Sequence, residues 1–449
     1  MLQDHKAGAG IAAALAGVIL LAAGACGGGG DESTATPTTT PAPTPTASPT
    51  VPATLMTGPG ITETDIRLGM TNDLTGAGDT PYAAVSLAMT AYFRKINIED
   101  GGVCARNIAL VVEDDRYNPE TALAAAKQLI EQGNVVGMVG LLGTAAHQLV
   151  GPYLNDPNGD SNQDDGVPDM LLSSGWKGWG DAARYPWTIG FIPDYGTDAA
   201  VLAEYVNEEL AGARVGVLYE LTEFGVDYLE SFKAALSPSV SVVAEQSYDL
   251  SDTSFSLHMT NVQASGAEVV LIAATPEYTV AALKAAQALS YDPQYLLSYV
   301  NAPSTLASLL GGGSNADALL LGFRELDGSV STAYLMSTVE DEDREEMAEH
   351  ARIMETYSGP PVSALSVYGQ ALAETMTEGL RIACRNGDLT RAGIFRAVLS
   401  IEDFQPSLFL DDIAVDLSAT DHRAVQALQP IRIQADGNLE LVGDVISVE

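Results

Sequence analysis

Residues 135–147 read VVGMVGLLGTAAH, and the fold turns on them. From Val135 to Leu141 every residue is apolar or Gly, which is how a strand reads when both of its faces are covered. Gly143-Thr144 ends the run, and the AAHQLVGPYL that follows has helical spacing, so Thr144 sits where a buried parallel strand hands over to a helix. At such a turn, orphan backbone N–H groups and the positive end of the helix dipole face outward, and the Thr144 hydroxyl adds one more donor. In open α/β sheets, ligands settle beyond the carboxyl ends of the strands, which is where this turn falls. The alternative is that Thr144 merely caps its own helix.

Working outward, the alternation continues. IRLGMTND reads as a strand that ends in the Gly-rich loop LTGAGD, and YAAVSLAMTAYFRKINI as a helix with Tyr82, Val85, Met89, Tyr92 and Ile96 on one stripe. IALVVEDD is the next strand, and NPETALAAAKQLIEQG opens on an Asn118 cap with Pro119 at the first helical position. Beyond residue 147, PDMLLSS, RYPWTIGF, RVGVLYE, VSVVAEQSY, AEVVLIAAT, QYLLSYV and ALLLGF read as strands interleaved with helices. The pattern is βαβ throughout and predicts mostly parallel sheets with right-handed crossovers. The last third changes character: long helical patterns at 341–357, 362–385 and 390–399 precede a hairpin, IRIQADGNLELV, that turns at Asp436-Gly437-Asn438. Too few strands remain for a third sheet, so these elements are expected to return and complete two earlier lobes.

The chain has 449 residues, enough for two ordinary domains and a tail, and its 46% apolar content supports real cores. With 21 basic against 59 acidic residues the formal charge is −38, which argues against nucleic acid or an anionic membrane surface as a partner. Residues 1–25 read as an export signal, a Lys followed by an apolar core too short to span a bilayer, running into AGAC. That ending resembles the lipobox of bacterial lipoproteins, with Cys26 as the acylated residue and Ala23 where Leu is preferred. Residues 26–60, Gly-rich and then Thr/Pro-rich, cannot bury enough apolar surface to fold and read as an extended tether.

Several constellations carry or exclude chemistry. In 155–169, NDPNGDSNQDDGVPD, the residues Asp156, Asn158, Asp160, Asn162, Asp164 and Asp169 offer oxygen ligands at calcium-loop spacing, although Ser161 stands where an EF-hand loop wants Gly. The reading is a structural calcium or a solvated acidic loop; no other cofactor is required. The five His are scattered, the Gly-rich loops lack the Lys-Ser/Thr of a P-loop, and no nucleophile arrangement appears, so no enzyme is expected.

DIRLGMTNDLTG, the stretch from Gly101 to Asp115, NPETALAAAKQLI, VGLLGTAA, YPWTIGF and VLYELTEFGVDYLESFKAAL, in that order and from about Ile61 onward, resemble the branched-chain amino-acid binding proteins of ABC importers. The resemblance is strongest to the subgroup that takes up aromatic and other small carboxylic acids. It implies a type I periplasmic-binding-protein fold: two doubly wound, mostly parallel lobes joined by a three-strand hinge, lobe 1 from 61–192 and 324–415, lobe 2 from 193–323 and 416–449. It implies that Gly143, Thr144 and Ala145 hold a ligand carboxylate, that Ser174, Gly175, Trp176 and Lys177 supply further donors, and that Tyr82, Phe224, Thr275 and Tyr299 line the pocket. Amino-acid-binding members carry an acid, aligned here with Tyr299, for the ligand ammonium, and a small hydroxyl residue where Lys177 stands. Both departures shift the expectation from an α-amino acid toward a non-amino carboxylate, and Trp176, Trp179, Tyr82 and Phe224 suit an aromatic one, an amino acid or an aromatic acid being the two ligands left open. With Cys26 assigned to lipid, Cys104 and Cys384 pair if the C-terminal helix returns to lobe 1 as this fold implies, two buried free thiols being the alternative. The implied function is capture of a small organic carboxylate at the outer face of the membrane and delivery to an ABC permease. The alternative is a ligand-sensing receptor domain coupled to a membrane signalling partner.

Overall fold

In the computed structural model, residues 55–75 and 81–447 are described, the side chain of Gln163 excepted. The export signal, Cys26, nearly all of the tether and residues 76–80, which hold most of the LTGAGD loop, lie outside them. In chain order the first elements are β1 (Met56–Thr57), β2 (Asp65–Asn72), α1 (Ala83–Glu99), β3 (Asn107–Asp114), α2 (Pro119–Glu131), β4 (Gly137–Val139), α3 (Thr144–Asn155), β5 (Asp169–Leu172) and β6 (Thr188–Gly190). Next come α4 (Tyr195–Glu209), β7 (Arg214–Glu220), α5 (Glu223–Ala235), β8 (Ser241–Tyr248), α6 (Ser256–Ala264), β9 (Val269–Ala273), α7 (Pro276–Ala288), β10 (Gln294–Leu297), α8 (Pro303–Gly311), α9 (Ala316–Leu326) and β11 (Val330–Ala333). The rest are α10 (Glu345–Thr356), α11 (Ala364–Asn386), β12 (Asp388–Leu389), α12 (Arg391–Leu399), β13 (Ala427–Ile433), β14 (Leu439–Leu441) and β15 (Ile446–Ser447).

Two sheets organise the chain. The first is all parallel, in the order β3-β2-β4-β5-β6. The second runs β8-β7-β9-β10-β11 in parallel and is extended by antiparallel β13 and β14, with β15 also on β13. In each sheet the first strand in sequence lies between the second and the third, so each sheet has a switch point where the crossovers diverge, between β2 and β4 and between β7 and β9. The VVGMVGLL run is buried throughout, as its composition demands, although only Gly137–Val139 pairs as a regular strand.

The helices follow the expected stripes. Tyr82, Val85, Met89, Tyr92 and Ile96 are all buried, and α1 packs against α11, which returns from the C-terminal third. Burying each such side chain contributes about 1.5–3 kcal/mol relative to leaving it in water. Cys104, in the loop after α1, and Cys384, near the end of α11, form a disulfide with Cα atoms 5.7 Å apart, which ties this return in place.

The chain crosses between sheets three times. The first crossing, after β6, and the third, before β13, run side by side: Gly190 N–H donates to His422 O at 2.9 Å and Ala424 N–H to Gly190 O at 3.0 Å. The second follows β11, where Leu335 bridges to Phe409. These contacts move two of the expected lobe boundaries. Residues 324–333 still belong to the second lobe because β11 pairs with β10 and β13, and residues 416–424 stay with the first because they pair with Gly190 and Ile401.

One element differs in kind from its sequence reading. ALLLGF lies inside helix α9 and is not a strand. Asn315 caps that helix by accepting from Ala318 N–H at 3.1 Å, and Leu, unbranched at Cβ, is a strong helix former. Gly322 brings α9 against α8 so closely that a Cβ would lie 2.0 Å from Ala307 O. The strand that completes the sheet is β11 instead.

Candidate functional site: a cavity at both switch points

The loops that leave the carboxyl ends of the central strands converge on one cavity of about 140 Å³. The first lobe contributes Tyr82, Tyr117, Gly143, Thr144 and Ser173, and the second contributes Tyr195, Phe224, Thr275 and Tyr299. The second crossing adds Tyr334 to Ser337, and the start of α11 adds Ala364, Leu365 and Tyr368. Among the described residues no Asp, Glu, Lys or Arg lines this inner cavity.

What the cavity has in place of charge is helix ends. First-turn or capping residues of α1, α3, α4, α5, α7, α8 and α11 all line it, so it collects the positive ends of several helix dipoles. The starts of α1, α3, α5, α7 and α8 all lack a side-chain cap, and among them α3 stands out for its glycine. Its N-cap is Gly143, which has no side chain to cover the first-turn amides, while α2, α4, α9, α11 and α12 are capped by Asn118, Asp194, Asn315, Ser363 and Thr390. Gly143 also holds φ at +102°, and a Cβ there would sit 2.9 Å from the Tyr117 ring, so the position requires glycine twice over.

Thr144 is held by hydroxyls. Its Oγ1 shares hydrogen bonds with Ser174 Oγ at 2.6 Å and with Tyr195 OH at 3.1 Å. Trp179 Nε1–H donates to the same Ser174 oxygen at 2.9 Å, which fixes Ser174 as a buttress behind Thr144. Tyr299 OH donates to Pro193 O at 2.5 Å, and Ser173 shares a hydrogen bond with Tyr368 OH at 2.5 Å. Burial raises the phenol pKa values of Tyr82, Tyr117, Tyr195 and Tyr299, so all four are neutral donors at physiological pH.

Of the eleven residues expected at the site, Tyr82, Gly143, Thr144, Phe224, Thr275 and Tyr299 line the cavity. Ala145, second in α3, does not, and Ser174 stands behind Thr144. Gly175 meets the second lobe through its backbone, its carbonyl accepting from Tyr195 N–H at 2.7 Å. Trp176 packs edge-on against Trp179 with ring centroids 4.8 Å apart and lies off the cavity wall. Lys177 does not line the cavity either: its Nζ lies 2.7 Å from Asp227 Oδ1 on α5, a bond between lobes.

Tyr117, Tyr195, Tyr334 and Tyr368 are lining residues that the sequence reading missed. Tyr117 and Tyr195 each follow a strand end, so the carboxyl-end rule could have found them. Tyr334 and Tyr368 come from the returning third of the chain, where only the fold places them.

Tyr82, Tyr117 and Thr275 also border an outer chamber of about 630 Å³ whose walls include Asp73, Asn118, Thr222, Asp249, Asp252 and Glu277. Burial raises the Glu277 pKa, with Asp73 adding to the effect, and Glu277 Oε1 is buried with no hydrogen-bond partner. The absence of an acid at Tyr299 therefore does not leave the cleft without a carboxylate.

The acidic segment 155–169 folds onto its own backbone. Asp156 accepts from Gly159 and Ser161 N–H at 2.9 and 3.0 Å, Asn158 from Asp160 N–H at 2.9 Å, Asp160 from Asn162 N–H at 2.8 Å and Asn162 from Asp164 N–H at 3.2 Å. Asp169 is not part of this loop. It is buried in β5, where its Oδ2 meets His147 Nε2 at 2.6 Å and accepts from Thr188 Oγ1 at 2.9 Å. Among the described residues no group of three or more His, Cys, Asp or Glu is arranged to hold a metal ion.

Two doubly wound lobes around a cavity at paired switch points define a bilobal solute-binding protein of type I architecture. The family model for the periplasmic binding protein matches residues 65–438, and the chain belongs to that family, whose members bind and do not catalyse. Leu/Ile/Val-binding protein homolog 3 of Brucella melitensis biotype 1 is 28% identical over 211 residues, 46% of this chain and 53% of its own length, so the match spans about half of that relative. A fatty acid ABC transporter substrate-binding protein from Thermomonospora curvata superposes with a TM-score of 0.69 at 21% identity, over 88% of this chain and 95% of that one. A branched chain amino acid ABC transporter protein from Thermus thermophilus, with bound valine, gives 0.73 at 16% identity, over 86% and 98%. At these identities the two structures establish the fold alone.

Proposed function

We propose that this chain is an extracytoplasmic solute-binding protein that captures a small organic carboxylate between its lobes and delivers it to an ABC permease, held at the membrane by lipid on Cys26. The observation that carries the reading is the start of α3. Its amides, which no side chain caps, open on a cavity that has no charged side chain among the described residues and suit a ligand anion, with the Thr144 hydroxyl held beside them by Ser174 and Tyr195. The overall charge of −38 does not oppose this, because distant surface charge is screened within about 8–10 Å at physiological salt while the donors act at contact. The fatty acid and valine named for the two structural neighbours are both carboxylates, in line with the proposal.

Glu277 favours a second form of the ligand, an apolar amino acid. Its unpartnered oxygen in the outer chamber can meet an ammonium while the carboxylate stays at α3.

A thermal-shift screen tests the proposal, because a ligand that binds only the folded state raises the melting temperature by mass action. The arms are aromatic acids, straight-chain carboxylates, amino acids, urea and amides, each with calcium and with chelator. A rise confined to carboxylates, with or without an amino group, is the expected result. A rise with urea or amides and none with any carboxylate overturns it.

A further inference from the structure

The start of α3 is tied down from behind by a buried pair. One turn after Thr144, His147 Nε2 lies 2.6 Å from Oδ2 of Asp169 on β5, and the two side chains are 1% and 0% exposed. The same oxygen accepts from Thr188 Oγ1 on β6 at 2.9 Å, and that hydroxyl accepts from Nδ2 of Asn155, the last residue of α3, at 2.9 Å. Both ends of the helix are thus bonded to one carboxylate and hydroxyl on β5 and β6. Neither His147 nor Asp169 lines the cavity.

The His147 ring also reaches Thr144 by a second route. It meets Trp179 edge-on with ring centroids 4.8 Å apart, Trp179 donates to Ser174 Oγ at 2.9 Å, and Ser174 shares a hydrogen bond with Thr144 at 2.6 Å. Thr144, His147, Trp179 and Ser174 therefore close a circuit, one side of which is a turn of α3. Gly151, a turn further along, leaves room for it: a Cβ there would lie 3.3 Å from His147 Cδ2 and 3.4 Å from the Trp179 ring.

Stability does not account for the pair. His147 Nδ1 and Asp169 Oδ1 are buried with no hydrogen-bond partner, and two apolar side chains of similar volume are generally as stable or more so at such a position. What an apolar pair lacks is direction. Apart from Thr144, His147 and Asn155, the buried face of α3 is Ala146, Val150, Gly151 and Leu154, whose apolar contacts are not directional. Successive helix residues stand about 100° apart around the axis, so even part of such a rotation swings the first-turn amides and the Thr144 hydroxyl off the cavity.

Resting on the carboxylate reading above, we propose that His147 and Asp169 are positioning residues for the ligand anion. Their bond fixes the rotation of α3, and through Trp179 and Ser174 it fixes the Thr144 hydroxyl, so that amides and hydroxyl face the cavity together. The pair costs stability and raises affinity. Those opposed signs separate it from an ordinary core contact, whose loss lowers both.

The test is calorimetric titration of the full chain with acid and amide pairs, benzoate with benzamide, octanoate with octanamide and leucine with leucinamide, beside thermal unfolding. The variants are the double His147→Leu/Asp169→Leu, Gly151→Ala and Asp169→Asn. The double variant should melt at or above the wild-type temperature and yet bind the acid about tenfold more weakly, with its preference over the amide reduced to match. Gly151→Ala favours the helix but presses on a ring that a 2.6 Å bond holds, so it should show the same opposed signs with both partners present, the acid severalfold weaker. Asn accepts through its oxygen as Asp does, so Asp169→Asn should stay within about threefold of the wild type. Acid affinity that is unchanged in both of the first two variants, or that falls in them only in step with melting temperature, overturns the proposal, as does a loss in Asp169→Asn equal to that in the double variant; the carboxylate reading survives each of these. A wild type that binds no acid tighter than its amide overturns both.

Discussion

Lys177 Nζ of the first lobe lies 2.7 Å from Asp227 Oδ1 of the second, and Lys177 N–H donates to the other oxygen of the same carboxylate at 3.2 Å. The Asp227 side chain is only 2% exposed, while that of Lys177 is 57% exposed. Apart from a long contact to Ser231 Oγ at 3.4 Å, both partners of this nearly buried carboxylate come from across the cleft. The pair is a latch between lobes, and separating the lobes leaves Asp227 with its charge poorly compensated.

Lys177→Met and Asp227→Asn should therefore shift the protein toward an open form. Solvent screening of the exposed Lys keeps the effect near 1 kcal/mol, about fivefold in the open-to-closed ratio and in ligand affinity. Small-angle scattering should show a larger radius of gyration in both variants without ligand. Unchanged scattering together with unchanged affinity would remove the latch.

Thr144→Ala removes the hydroxyl at the mouth of α3 but leaves the helix amides. A hydrogen bond to a charged group is worth about 1.5–3 kcal/mol, so carboxylate binding should weaken at least about tenfold, and Thr144→Ser should restore most of it. Circular dichroism and the unliganded melting temperature should change little. Ser174 and Tyr195 lose a partner in this variant, and the Ser control separates that effect from the loss of a ligand contact.

Asp198 gives a pH prediction with a definite sign. It is fully buried on α4 and accepts from Tyr228 OH, Thr332 Oγ1 and Tyr299 N–H. Burial outweighs these bonds and pushes its pKa up to about 6. An acid whose folded pKa exceeds its unfolded value of about 3.9 contributes stability that is fully present below that value and lost as pH rises through about 6. Asp198→Asn should thus compare worst with the wild type near pH 4 and gain on it as pH rises to 6, followed by urea denaturation at each pH. A difference that is constant with pH contradicts this.

The Cys104–Cys384 disulfide closes a loop with a sequence separation of 280 and joins the loop after α1 to α11. Replacing both with Ser should cost about 4 kcal/mol in unfolding free energy, the upper end of the usual range because the closed loop is long. Because α11 supplies Leu365 and Tyr368 to the cavity, ligand affinity should fall with it. Parallel denaturation and titration of the double variant check both effects.

The sheets and the α3 end of the site were legible because they depend on local pattern. The uncharged run at 135–141, the Asn118-Pro119 helix start and the glycine at 143 each act through their own backbone. The misreadings came where tertiary contacts decide. ALLLGF is as apolar as a buried strand, and it is helical because Asn315 caps it and Gly322 lets it lie on α8. The family resemblance implies donors from Ser174 to Lys177, but Gly175 packs so tightly that a Cβ would lie 2.4 Å from Pro193 O, and Asp227 takes both the Lys177 backbone N–H and its ammonium. Tyr334 and Tyr368 lie far along the chain from Thr144, and only the crossings bring them to the cavity.

Paired titration with octanoate and octanamide bears most directly on the central claim, since the two share length and apolar tail and differ in the charge at one end. Binding of octanoate at least about tenfold tighter than octanamide, with the difference much reduced in Thr144→Ala, is the outcome expected of an anion held at the start of α3. Equal binding of the two, or an unchanged preference in the variant, would contradict it.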